Sequence, residues 1–320
     1  MHEKSDRPVP ARNDRATAIP KADVVSFGMV VPATLVIVDE FPQINTGATA
    51  TQVTEFISDD AALVATTLRG WDVRSGLIST TLGNDPTGRR TVRRLQEIGV
   101  VGDLRTSSKL STPYELDISD RAGNRTYFWQ RTPEVLATLE KADLSLLEGA
   151  RLLYVDWYDQ DYILRPMREA AQKSIPVFLN FEHGHQDSEL LARYAPYATI
   201  CQAVTDAAQT KDNAVEVGRN LLDGGVSLAL VTMAKGGCLA LSKERMVRIY
   251  APEVEVVDAC AAGATFSAGF IYGYLKGWGL EEKGRFAVAA ASLKCTVVGP
   301  CAFPIDQINR LAAQLRVEQA

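Results

Sequence analysis

The sequence predicts an α/β protein in which helices cover both faces of a mostly parallel central sheet, with a smaller sheet lying half exposed beside it. Three observations predict this. From Arg151 onward, strand-like apolar runs alternate with helical segments at the spacing of parallel strands joined by helices. The chain has 320 residues, 46% of them apolar, which is enough for one large core. The stretch VVDACAAGATFSAGFIYG, Val256 to Gly273, passes from the apolar run Val254, Val256 and Val257 through Asp258 and four small residues into a helix rich in Ala, Gly and aromatics, Phe266 to Leu275. Strand, tight turn and buried helix in that order let a ligand approach the backbone, and the free amides at the helix start favour an anion.

Residues 1–21 are polar and rich in Arg, Asp and Pro, and are expected to form a disordered tail; Glu3, Asp6 and Asp14 argue against a transit peptide. Residues 22–320 are expected to form one domain. VVSFGM, closing on Gly28 and Met29, reads as a first buried strand. Leu35 to Phe41 and Thr49 to Phe56, punctuated by Pro42 and Gly47, read as strands of a half-exposed sheet. A helix follows to Gly70, with Asp59 and Asp60 placed to cap its start at Ala61. Leu77 to Gly88 gives a strand and a turn, then a helix through Arg93, Leu95 and Ile98 to Gly99. Tyr114 to Ile118 and Arg125 to Trp129 alternate around Asp120-Arg121-Ala122-Gly123, a hairpin signal. The small sheet thus spans about 33–57 and 112–130.

In the second half, Leu152 to Val155 and Val177 to Phe181 read as strands with a helix between them, Met167 to Lys173. A further strand is expected in Leu228 to Met233, and a second Ala-rich helix in Phe286 to Cys295. Ligands of such sheets lie beyond the carboxyl ends of the strands. That rule singles out Asp156-Trp157-Tyr158-Asp159 and Glu182-His183-Gly184-His185. A carboxylate and two imidazoles could hold a metal or a phosphate, but the spacing is not a zinc pattern, and no metal site is assigned.

A net charge of −5 offers no basic face for nucleic acid or an acidic membrane, and no stretch approaches a membrane span. The five cysteines, Cys201, Cys238, Cys260, Cys295 and Cys301, are scattered and form no CxxC pair, which fits reduced thiols of a cytoplasmic protein.

The segment Asp258-Ala259-Cys260-Ala261-Ala262-Gly263-Ala264-Thr265-Phe266 resembles the DTxGAGDxF signature of the ribokinase (PfkB-type) sugar and nucleoside kinases, and the order of motifs resembles their ketohexokinase-like branch from about Ala22 to Leu315. The resemblance implies a ribokinase-like three-layer α/β/α fold with a β-sheet lid that often pairs two chains, ATP and Mg²⁺ as cofactors, and a sugar as substrate. It places the catalytic base at Ala264 and the anion hole at Ala262, Gly263 and Ala264. Substrate contacts fall on Ala33, Asp59, Leu63, Arg125 and Glu182. Nucleotide contacts fall on Lys235, Gly237, Asp258 and Lys294. The family's NxxE is replaced by no more than Gln202 and Asp206.

Three of these positions have become apolar. A methyl group at Ala264 accepts no proton, and Ala33 and Leu63 offer no hydrogen bond where the family uses Asp and Asn. Ala234 and Ala261 replace glycines. The expectation is therefore an ATP-dependent sugar kinase by ancestry whose phosphotransfer is impaired. The alternatives are a non-catalytic binding or regulatory protein using the old cleft, or an enzyme of changed chemistry using Glu182, His183, His185 or Asp59.

Overall fold

The computed structural model describes residues 21–120, 124–205 and 213–319. The tail through position 20, the hairpin tip 121–123 and Asp206 lie outside these residues. The chain opens with β1 (Val24–Gly28), β2 (Val31–Val38), β3 (Ala50–Ser58), α1 (Asp60–Gly70), β4 (Ser75–Ser79), β5 (Leu82–Gly83), α2 (Pro86–Ile98) and β6 (Thr106–Ser107). It continues through β7 (Tyr114–Asp120), β8 (Arg125–Gln130), α3 (Pro133–Leu136), β9 (Leu152–Asp156), α4 (Leu164–Gln172), β10 (Val177–Glu182), α5 (Ser188–Tyr194), β11 (Ile200–Val204), α6 (Ala214–Asp223) and β12 (Leu228–Thr232). The last elements are β13 (Cys238–Leu241), β14 (Met246–Ile249), α7 (Ala262–Leu275), α8 (Leu280–Lys294), α9 (Ile305–Ala312) and β15 (Val317–Gln319).

Among the described residues the central sheet has nine strands in the order β15-β14-β13-β12-β11-β10-β9-β1-β4. The pairs from β12 to β4 are parallel, and β13, β14 and β15 add antiparallel pairs at one edge. Both faces of the parallel strands are covered, so their sequences are apolar at consecutive positions instead of alternating. Val24, Tyr154, Phe178 and Leu230 pack with Leu68, Phe266, Phe270 and Phe286 of α1, α7 and α8 on one face. Val25, Leu153, Leu179 and Val231 pack with Met167, Tyr194 and Leu221 of α4, α5 and α6 on the other. The fold is ribokinase-like α/β, as the sequence predicts.

A second sheet, β3-β2-β7-β8, stands apart as the lid. Its β2–β7 pair is parallel, and β2–β3 and β7–β8 are antiparallel. In β7 the apolar residues face outward: Leu116 and Ile118 are half-buried, while Glu115, Asp117 and Ser119 are buried. Phe128 and Trp129 of β8 remain more than half exposed, at 60% and 57%.

Two expectations are corrected in detail. The strand expected over Leu35–Phe41 begins and ends earlier, at Val31 and Val38. Residues 254–257 form no strand: the amides of Val257 and Asp258 donate to the Cys295 carbonyl at the end of α8, at 2.8 and 3.2 Å, instead of to a neighbouring strand.

Candidate functional site

Helix α7 starts abruptly. Its N-cap residue, Ala261, is left-handed (φ 60°, ψ 10°) and supplies no side-chain cap. The first-turn amides therefore keep the positive partial charge that an anion would meet. Ala264, in that first turn, is 1% exposed, and its side chain can neither donate nor accept. Ala261 and Ala234 (φ 47°) stand where the family carries glycine, and both keep a glycine-type backbone; Asp59, φ 77° and ψ 137°, does the same at the hinge before α1. Such conformations cost a non-glycine residue on the order of 1–3 kcal/mol each. The turn shapes have outlasted the residue that makes them cheap.

The loop into α7 is held from below and from above. Below, Asp258 and Lys294 are both 0% exposed, and the Lys294 ammonium donates to Asp258 Oδ2 at 2.9 Å and to the Asp258 carbonyl at 2.8 Å. The Gly299 and Cys260 amides donate to the same carboxylate at 3.0 and 2.9 Å. Burial alone would raise the Asp258 pKa, but the Lys294 ammonium and these amides outweigh it and hold the carboxylate below its usual range. In the structure the two residues expected to contact nucleotide spend their charges on each other. From above, three side chains of the lid reach the loop: Ser119 donates to Asp258 Oδ1 at 3.3 Å, Cys260 donates its thiol to Asp117 Oδ2 at 3.5 Å, and Arg125 donates to the Ala259 carbonyl at 2.8 Å. Arg125, expected at the substrate, here fastens the lid.

Beside this loop lies a wall of carboxylates at the carboxyl ends of β1, β9 and β10. The Asn180 amide donates to Asp60 Oδ2 at 2.8 Å and Asp156 Oδ2 at 2.7 Å, and lies 3.4 Å from Glu182 Oε1. Asp159 accepts from the Met29 amide at 3.2 Å. That approach requires Gly28, because a Cβ there would stand 2.2 Å from Asp159 Oδ2. Asp59 occupies the N-cap position of α1 but makes no cap bond; its carboxylate pairs with Arg131 at 2.9 Å. The capping role read from the sequence for Asp59 and Asp60 is therefore replaced by cleft contacts. Glu182 also sits at a positive φ of 39°, which bends its side chain away from the sheet line and toward Asn180.

Arg131 is the cation in this wall, and its field reaches Asp59, Asp159, Asp156 and Glu115. It does not balance them. Burial first, and neighbouring carboxylates second, push Asp60 and Asp156 well above the usual carboxylate range. Burial does the same to Asp159, and raises Asp59 to about 6 against the pull of Arg131. On the lid, burial and then Glu115 raise Asp117 to about 7.

A carboxyl that holds its proton more tightly when folded stabilises the fold fully below the unfolded value of 3.8, and that contribution is lost as pH rises through the folded value. For Asp59 and Asp117 the loss falls between pH 3.8 and about 6 and 7 respectively. Tm is therefore expected to fall by several degrees between pH 5 and pH 8, and a calorimetric series flat or rising over that window would contradict the buried-acid geometry.

Other expected residues lie apart. Ala33 is buried in β2, paired in register with Phe56 and Glu115, and Leu63 is buried in α1. Lys235 is exposed in the turn between β12 and β13. Gly237 (φ 83°) is needed by the chain itself, since a Cβ there would meet the Ile249 carbonyl at 2.0 Å. Gln202 accepts from Ser267 of α7 at 2.8 Å. His183 and His185 form a short turn after β10, where His185 Nε2 lies 3.2 Å from the Val204 carbonyl. No group of three or more His, Cys, Asp or Glu arranged to hold a metal ion occurs among the described residues. Sequence reading passed over Glu115, Asp117, Arg131 and Asn180; the alternation of acids in β7 was the one signal that could have found the first two.

A doubly covered α/β sheet with an uncapped helix start beneath a second sheet is an architecture suited to a small anionic ligand at the carboxyl ends of its strands. The profile of the pfkB family carbohydrate kinases matches residues 22–307, and the chain belongs to that family. It is 25% identical over 282 residues to a nucleoside kinase of Methanothermobacter thermautotrophicus, covering 84% of this chain and 88% of that protein. A 1-phosphofructokinase of Borreliella burgdorferi is 28% identical over 105 residues, which span 34% of its length and 32% of this chain. The fold is similar to Thermotoga maritima ribokinase, with a TM-score of 0.74 at 19% identity over 92% of this chain and 100% of that one. It is also similar to Arabidopsis thaliana ribokinase complexed with ribose and ATP, with a TM-score of 0.69 at 18% identity over 91% and 99%.

Proposed function

We propose that this chain binds ATP and a sugar or related polyol in the cleft between the lid and α7, and that its phosphotransfer is impaired at proton removal. The observation that carries this reading is Ala264: an apolar side chain, 1% exposed, in the first turn of a helix whose start has no side-chain cap. The uncapped start of α7 supports a phosphate there, and the family supports ATP as its source. Magnesium would neutralise charge on the phosphates when bound; among the chain's own groups, the α7 amides suit a phosphate oxygen, whereas Asp258 and Lys294 are spent on each other. The acids facing the cleft favour an uncharged polyol over a sugar phosphate or sugar acid, because their oxygens suit hydroxyl groups while the neighbouring cation, Arg131, is already paired with Asp59.

Thermal shift tests the reading. ATP at 100 times its dissociation constant is expected to stabilise the chain by about 2.7 kcal/mol, and neutral sugars are expected to shift Tm where their phosphate esters do not. Absence of any ATP shift, or a larger shift from fructose 1-phosphate than from fructose, would count against it. A non-catalytic binding role is the second reading, favoured by the lid being fastened to the α7 loop through Ser119, Asp117 and Arg125.

A further inference from the structure

The lid strand β7 turns the wrong side inward for a structural sheet. Its apolar residues lie outward, and Glu115, Asp117 and Ser119 are buried, the last two against the loop that leads into α7. Burying a carboxyl without satisfying it is unfavourable, so an unsatisfied one needs a reason. Glu115 is satisfied: Ser58 donates to its Oε1 at 2.7 Å. Asp117 is not. It is 1% exposed, its Oδ2 meets the Cys260 thiol at 3.5 Å, and its Oδ1 is buried with no donor, the neighbouring Glu115 carboxyl bonding to Asp117 only when one of the two acids carries a proton. Cys260 lies four positions before Ala264, in the same short loop. An unused acceptor thus stands over the approach to a helix start that lacks one.

We infer that Asp117, carried by the lid and not by α7, is the proton acceptor for the residual phosphotransfer of this chain. The inference rests on the functional reading above. In the step, the Asp117 carboxylate takes the proton of the polyol hydroxyl while the hydroxyl oxygen bonds to the γ-phosphorus of ATP. The bond from that phosphorus to the bridging oxygen breaks, and ADP leaves with the electron pair. The proton on Asp117 then passes to solvent through the neighbouring Glu115. The competing acids are engaged elsewhere, Asp60 and Asp156 with Asn180 and Asp59 with Arg131, whereas Asp117 touches the loop that leads into α7.

The titratable and charged groups facing Asp117 are Glu115 on its own strand, Tyr127 and Arg125 on β8, and Cys260 and Asp258 on the loop. With Asp117 as acceptor the rate should fall on the acid side, with a midpoint near 7.

The test uses the full chain with γ-labelled ATP, Mg²⁺ and a panel of fructose, ribose and adenosine. The unaltered chain is expected to transfer phosphate slowly to at least one acceptor. Asp117→Asn is expected to lower that rate by about 10²-fold and remove the acid limb of its pH profile, while the ATP thermal shift stays unchanged. Asp117→Glu is expected to keep part of the rate, and Ala264→Asp combined with Asp117→Asn to regain it. Residual transfer that persists in Asp117→Asn with the same pH profile overturns the inference, as does a chain that binds ATP and transfers nothing. If Asp117→Asn does not fold, the acid limb in Asp117→Glu decides: displacement of its midpoint supports the inference, and an unmoved limb is the contrary result. No ATP shift in the unaltered chain overturns the functional reading and this inference together.

Discussion

Ala264→Asp is expected to raise phosphotransfer to a polyol by roughly 10² to 10⁴-fold, the span that a positioned general base contributes. Position 264 is the third residue of α7, where the helix field favours a carboxylate and where, on the proposed reading, the amides of the same turn would meet the transferring phosphoryl group. The new acid would join an anion site whose backbone is already formed, because Ala261 holds the left-handed turn that precedes it. Nucleotide affinity should hardly change, since the gain is confined to the transition state. The measurement is kcat and KM of both chains with ATP and the same acceptor panel. A variant that folds, binds ATP and shows no gain on any acceptor would mean that the missing base is not what limits this protein.

That expectation depends on a correspondence legible in the sequence: the turn and helix start around Asp258 to Phe266, and the alternation of segments after Arg151, both of which rest on short-range patterning. Period and punctuation report local structure, so they identified the sheet, the helices and the lid hairpin. What they could not report is which neighbour a side chain chooses. In β7 the sequence Tyr-Glu-Leu-Asp-Ile-Ser alternates cleanly, and the ordinary rule sends Leu116 and Ile118 to the core; the fold sends Glu115 and Asp117 inward instead, because the lid covers a polar cleft and not a second apolar layer. Asp59 reads as a helix cap, yet its backbone at φ 77° points the carboxylate at Arg131, 72 positions away in sequence and adjacent in space. Ala234 and Ala261 stand where the resemblance places glycine, and both keep the left-handed backbone, which composition alone does not report. Tertiary contacts decide the inward acids of β7 and the partner of Asp59, and no local window contains them.

Lys294 is the sharpest case of the same limit, and it yields the largest expected change in stability. By resemblance it walls a nucleotide pocket; in the fold it is wholly buried and donates to Asp258 Oδ2, to the Asp258 carbonyl and, at 3.3 Å, to the Val297 carbonyl. Lys294→Met removes all three and leaves Asp258 charged in an interior where only the Ser119 hydroxyl and the Cys260 and Gly299 amides remain to hold it. Breaking a buried pair from one side costs about 3–5 kcal/mol, equivalent to a Tm lowered on the order of 10 °C. Replacing both partners, Asp258→Asn with Lys294→Met, should cost less than the sum of the single changes, because no uncompensated charge is left behind. Urea unfolding of the four chains measures the coupling. If Lys294 served mainly to touch nucleotide, Lys294→Met would leave the unfolding midpoint nearly in place and weaken ATP binding; a large loss of stability, with the loss partly recovered in the double variant, is what the buried pair requires.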